Sequence, residues 1–116
     1  MKNEKTQAEW YALAKEMADT IFAKQQELFG DLTDTVYYCV EVTRFDSFIK
    51  MEASVSPKNY QPENMEARKV AEYLNRVSED LYLSEYTTKG DFEAYAPTVI
   101  RKMEGFAEAV KNIINN

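Results

Sequence analysis

Few residues in this chain could carry chemistry, and the first to consider is its single cysteine. Cys39 lies in a sequence that contains no histidine, so no imidazole can generate a thiolate, and the negative charge of Glu41 nearby disfavours one. One cysteine cannot form an internal disulfide, and without histidine too few soft ligands remain for zinc, copper or an iron–sulfur cluster. We therefore expect a structural Cys39, no metal site and no cofactor.

The acidic residues are the second chemical group. Glu27, Asp31 and Asp34 are close in sequence, but they lack the ligand spacing of a calcium loop, and solvated carboxylates are the simpler interpretation. Paired-carboxylate catalysis needs two acids at a defined distance, which sequence cannot assign among 20 Asp and Glu residues. Three scattered glycines do not form a phosphate-binding loop. The sequence thus predicts a protein that is not an enzyme.

Composition bounds the class of protein and of partner. A chain of 116 residues with 45% hydrophobic residues predicts a single domain over residues 1–116. No secretory leader or apolar run of about 20 residues is evident, so we expect a soluble, cytoplasmic protein without membrane association. Fourteen basic against 20 acidic residues give a net charge of −6, which disfavours direct nucleic-acid binding and favours a protein partner with a basic surface.

The first predicted element is a helix from Thr6 to Phe29 with a broad apolar stripe. Thr6 followed by Glu9 matches a capping box, in which each side chain bonds a backbone amide of the other residue. Gly30 is the expected stop, in the left-handed conformation that closes many helices.

A hairpin is predicted next, because residues 36–55 contain two runs of alternating apolar and polar residues joined by a tight turn. The turn we infer sets Val42 opposite Ile49 and Glu41 opposite Lys50. Both pairings are favourable, since the first is apolar and the second joins opposite charges.

The second half of the chain predicts a helix from Pro62 to Leu81, a second hairpin and a final helix after Pro97. The second hairpin pairs residues 82–87 with residues 91–96, and two registers are possible. One leaves Glu85 outside, and a slip of one residue buries it. The predicted fold is α+β, an antiparallel sheet of two hairpins with three helices in the order α-β-β-α-β-β-α.

Aromatic residues on the outward face of this sheet are the main functional indication. Tyr37 and Phe48 are predicted to point away from the core, with Tyr60 and Tyr95 in irregular segments nearby, and Tyr and Phe are enriched at interfaces. A helix covering that face would explain them equally well, as would a tyrosine lying flat with its hydroxyl in water. As partner-binding residues we predict Tyr37, Glu41, Phe48, Glu52, Tyr60 and Tyr95.

Three segments resemble one known family: AEYLNRV at 71–77, YLSEY at 82–86 and GDFEAY at 90–95. They are similar to segments of the YbjN-type bacterial proteins, whose fold is shared by the small acidic chaperones of type III secretion. The resemblance covers about the last 50 residues of the chain. It implies a non-catalytic protein that binds a partner chain along its sheet and often dimerises, and it transfers no catalytic residue.

The leading functional hypothesis is a binding module that masks, inhibits or chaperones a macromolecular partner through an acidic, aromatic surface. One narrower version is a phage or mobile-element antagonist of a bacterial defence nuclease, in the manner of an anti-CRISPR protein. A second hypothesis is a small self-assembling protein, which would be a homodimer through Tyr37 and Phe48. A third is a small enzyme or ligand binder with a pocket between the first helix and the sheet.

Overall fold

The computed structural model describes residues 5–58 and 64–115, which form three helices and one antiparallel sheet. The elements in chain order are α1 (Gln7–Phe29), a short 3-10 helix (Gly30–Leu32), β1 (Val36–Arg44), β2 (Ile49–Pro57), α2 (Met65–Tyr73), β3 (Val77–Leu83) and α3 (Lys89–Ile114). The α+β class, with three helices and an antiparallel sheet, is confirmed. Among the described residues, no helix combines the length and apolar character needed to cross a bilayer.

Helix α1 begins as predicted. Thr6 caps it by accepting a hydrogen bond from the Glu9 amide, and the Glu9 carboxylate accepts one from the Thr6 amide. The backbone and side-chain hydrogen bonds from Thr6 lower the pKa of Glu9. The stop at Gly30 is right, but the reason is wrong: its φ is −57°, so the chain turns on into the 3-10 helix without a left-handed residue.

The sheet has the strand order β1-β2-β3, so β1 and β3 are its two edges. The first hairpin is confirmed, with a register shifted by two residues from the predicted one. Val42 lies opposite Met51, and Glu41 lies opposite Glu52. The turn begins one residue later than expected, where the Phe45 amide donates to the Phe48 carbonyl at 2.9 Å, and this moves every cross-strand pair.

The prediction of a second hairpin is wrong. Residues 91–96, predicted as its return strand, lie in the first half of α3, which Thr88 caps by accepting from the Asp91 amide. The third strand is β3, whose residues 77–81 the sequence pattern places at the end of the second helix and whose residues 82–83 it places in the second hairpin. That helix is the nine-residue α2, and Pro62, its predicted start, lies outside the described residues.

All three helices pack on the same side of the sheet. Helix α1 contacts β1, β2 and α3, helix α3 also contacts β3, and the short α2 packs against α3 and β2. The core between these layers contains the inward residues of the central strand, Ile49, Met51, Ala53 and Val55, each 0% exposed. A sheet with helices on one face only leaves its other face to solvent.

Candidate interaction surface

The outward face of the sheet, here called the open face, is the most distinctive surface of the molecule. Strand alternation and the observed register align its side chains in cross-strand rows. These rows are Tyr37 with Ser56; Cys39 with Ser54 and Ser78; Glu41 with Glu52 and Asp80; and Thr43 with Lys50 and Tyr82. None of the described helices packs against this face.

One end of the open face is aromatic. The rings of Phe45 and Phe48 stack with centroids 4.6 Å apart and planes 22° from parallel, and Phe48 also meets Tyr82 at 5.7 Å. Phe45 is 43% exposed and Tyr82 is 54% exposed, although each packs against another ring. A partner that covered this cluster would remove a large apolar area from water without any rearrangement of the rings.

The middle of the open face is a row of three carboxylates, Glu41, Glu52 and Asp80. Two of them have a cation nearby. The Arg76 guanidinium nitrogen Nη2 lies 3.5 Å from Glu52 Oε2, and Lys50 Nζ lies 4.0 Å from Asp80 Oδ2, the outer limit of an ion pair. Within the described part of the chain, Glu41 has no ion pair. It is therefore the acid of the row best placed to meet a cation from outside.

Glu52, in the centre of this row, is held ionised by its surroundings. Burial alone would raise the pKa of its carboxyl group, but hydrogen bonds, chiefly the one that Ser78 donates at 3.1 Å, together with the charges of Lys50 and Arg76, lower it overall. The negative charge at the centre of the open face is therefore maintained at neutral pH.

The other end of the open face has one aromatic residue beside small polar ones. Tyr37 is 42% exposed, and the Lys58 ammonium lies 4.7 Å from its ring centroid. Next to it, the Cys39 thiol lies 3.2 Å from the hydroxyl of the buried Ser54. Tyr37 also borders a shallow cleft of about 440 Å³ that separates the open face from the end of α2. No feature of the described residues here activates the thiol.

The structure brings four of the six predicted partner-binding residues together. Tyr37, Glu41, Phe48 and Glu52 all lie on the open face. Tyr60 lies outside the described residues.

The prediction that Tyr95 lies in an irregular segment near this surface is wrong. Tyr95 is only 6% exposed, lies in α3 on the helix side of the sheet, and its hydroxyl donates to the Glu79 carbonyl at 2.5 Å. Burial raises the pKa of its phenol, a hydrogen bond with the Ala53 backbone lowers it only in part, and nearby carboxylates, chiefly Asp80, raise it further. Tyr95 is therefore a core residue.

Sequence reasoning missed Phe45, Asp80 and Tyr82 as members of the surface. The sequence pattern places Phe45 in the turn, Asp80 at the end of the second helix, and Tyr82 in the first strand of the second hairpin, which does not form. A partial signal for the strand is present: Val77, Leu81 and Leu83 lie at alternate positions, as in a half-buried strand, although Glu79 interrupts the series.

The open face presents carboxylates and aromatic rings, groups that contact cations and apolar side chains in protein interfaces. In the described segments, no three Cys, Asp or Glu side chains converge as metal ligands would. No protein-family model, curated protein or solved structure matches this chain. The resemblance to the YbjN-type family stays a prediction.

Proposed function

We propose that this protein is a non-catalytic binding module that masks, inhibits or chaperones a partner protein through the open face. The observation that carries the proposal is the one-sided packing, which leaves Tyr37, Phe45, Phe48 and Tyr82 on a face without a helix among the described residues. Aromatic residues are the commonest anchors of protein interfaces, because they bury a large area at a small cost in side-chain entropy.

The partner that fits this face has a basic surface. The chain carries a net charge of −6, and Glu41 is available to an outside cation. Because Lys50 and Arg76 already lie beside Asp80 and Glu52, charge on this face contributes less than the aromatic contacts. We expect charge to speed the encounter and aromatic burial to keep the complex together.

We place the module in the cytoplasm, since its single unpaired cysteine suits a reducing compartment.

The test uses capture of a partner from the source cell's lysate, followed by affinity measurements with that purified partner. The test variant is Tyr37→Ser/Phe45→Ser, which removes one exposed ring from each end of the open face. The matched control is Tyr73→Ser, since Tyr73 is 66% exposed but lies on α2. Circular dichroism and urea unfolding verify that each variant is folded.

We expect the double variant to bind at least about thirtyfold more weakly, because two interface aromatics each contribute about 1 to 2 kcal/mol, while the control binds as wild type does. Equal binding by the double variant and wild type would overturn the proposal. Loss of a dimer in the double variant, with no other partner retained by wild type, would instead identify a second copy of the chain as the occupant.

A further inference from the structure

The outer edge of β3 is the second unusual surface of this molecule. As the last strand of the sheet, β3 has hydrogen-bonding groups along one side that pair with no strand among the described residues. Proteins commonly cover such an edge, shorten it or guard it with charge, because another strand can pair with it. Here the edge strand is seven residues long, and Thr87 meets its carboxyl end, where the Thr87 hydroxyl donates to the Tyr82 carbonyl at 3.1 Å. The edge groups of Ser78 and Asp80, before that contact, pair with no strand among the described residues.

A shallow groove of about 470 Å³ runs beside this edge, between β3 and α3. Leu81 and Tyr82 line it from the strand, and Asp91, Ala94 and Thr98 line it from the helix. Ala94 and Thr98 are four residues apart and therefore share a face of α3. Their small side chains leave room where a larger residue would close the groove.

We propose that the β3 edge accepts an extended segment of a partner protein as a fourth strand, with Lys or Arg at alternate positions and apolar residues between them. An added strand lies about 4.8 Å from β3, and its side chains alternate between the two faces of the sheet. Those on the open face lie beside Asp80 and Tyr82, and those on the other face enter the groove over Ala94.

Charge selects this occupant over a second copy of the same chain. Asp80 is the central residue of β3, so a symmetric antiparallel pairing of two β3 strands places Asp80 opposite Asp80. Like charges in directly opposed positions disfavour such a pair. A foreign strand with Lys or Arg at that position replaces the repulsion with attraction.

This inference rests on the proposed function and deepens it, because it gives the conformation and chemistry of the partner's segment and places that segment at the β3 edge of the open face. The probe is a fluorescein-labelled peptide, Lys-Val-Lys-Val-Lys-Val-Lys, and binding to the full chain is followed by fluorescence anisotropy. Two further peptides have the same sequence with N-methyl groups on every lysine or on every valine. A fourth has the block order Lys-Lys-Lys-Lys-Val-Val-Val.

Strand addition predicts an asymmetry between the methylated peptides, because only alternate amides of an added strand face β3. We expect one methylated peptide to lose about tenfold or more in affinity and the other to keep most of it. The block peptide has the same charge but cannot alternate, and it should also bind at least about tenfold more weakly.

Protein variants test the groove independently. Ala94→Phe fills it and should weaken the alternating peptide, whereas Ala12→Phe, at an exposed alanine of α1, should not. Equal binding of all four peptides would show attraction by charge alone and overturn strand addition. The proposed function would stand in that case, because its own test is the binding of the Tyr37→Ser/Phe45→Ser variant. Failure of every peptide to bind overturns strand addition as well. So does a dimer of the chain alone that Ala94→Phe abolishes, since the occupant would then be a second copy.

Discussion

At the scale of single residues, Gln25 shows how a polar side chain can join two layers of this fold. It lies on the inward stripe of α1 between Ile21 and Phe29 and is 0% exposed. Its side-chain amide donates to the carbonyls of Cys39 and Ser54, each at 3.1 Å. One glutamine thereby links α1 to both strands of the first hairpin. The apolar stripe in the sequence could not predict this, because a glutamine is normally assigned to the solvent side.

Gln25→Leu keeps the size of the side chain but removes both hydrogen bonds that join α1 to the hairpin, together with a buried oxygen, Gln25 Oε1, that has no hydrogen-bond partner among the described residues. We expect it to lower the free energy of unfolding by about 1 kcal/mol, because the two lost hydrogen bonds outweigh the relief of that oxygen and the gain from an added apolar group. Urea denaturation measures the change. The control is Gln26→Leu on the exposed side of α1, which should stay within about 0.5 kcal/mol of wild type. Similar losses in both variants would contradict the role given to Gln25.

Tyr95 makes stability depend on alkaline pH, because its phenol titrates at a higher pH in the folded state than in the unfolded one. As pH rises past about 10, the unfolded chain loses this proton while the folded chain retains it, so unfolding becomes more favourable. Urea titrations from about pH 8 to about pH 11 should show the free energy of unfolding falling less steeply for Tyr95→Phe than for wild type. Tyr86→Phe is the control, at a tyrosine that is 63% exposed. Identical slopes in wild type and Tyr95→Phe would count against the shift.

At the scale of elements, the sequence predicts those features that are determined by residues close together in the chain. The capping box of α1 and the alternation of the first hairpin are both of this kind, and both are predicted from sequence. The first half of α3 is not, because Phe92, Tyr95 and Ala96 suit a strand as readily as a helix until Val99 and Met103 extend the stripe. The sequence indicates a boundary at Pro97, whereas α3 continues through it.

Pro97 is therefore a test of how α3 is stabilised. It lies in the ninth position of a 26-residue helix, has no amide hydrogen to donate to the Glu93 carbonyl, and is exposed to solvent. We expect Pro97→Ala to raise the free energy of unfolding by about 1 to 3 kcal/mol, since alanine restores the donor and has the higher helix propensity. Thermal and urea unfolding give the value. A variant that is less stable than wild type would show that the proline is needed where it stands.

At the scale of the whole molecule, sequence predicts the α+β class but cannot identify the open face. Outward positions such as Tyr37 follow from alternation alone, but whether a helix covers them depends on where three helices pack, which is set by contacts distant in sequence. The sequence also does not predict which residues face one another across the strands of the first hairpin. A shift of two residues in the hairpin places Glu41 opposite Glu52 instead of Lys50. Because such a shift keeps every side chain on its own face, alternation cannot distinguish the two registers, and the turn between Phe45 and Phe48 sets the observed one.

Because the single cysteine lies on the open face, the reactivity of its thiol reports whether that face is covered. Cys39 is half-buried in the row next to Tyr37 and next to Glu41, and no second thiol in the chain competes with it. The rate at which a thiol reagent such as Ellman's reagent modifies the native protein therefore measures how often that face is uncovered. A molecule bound to the open face protects the thiol and slows its modification. Binding can therefore be followed in the wild-type protein before the bound molecule has been identified.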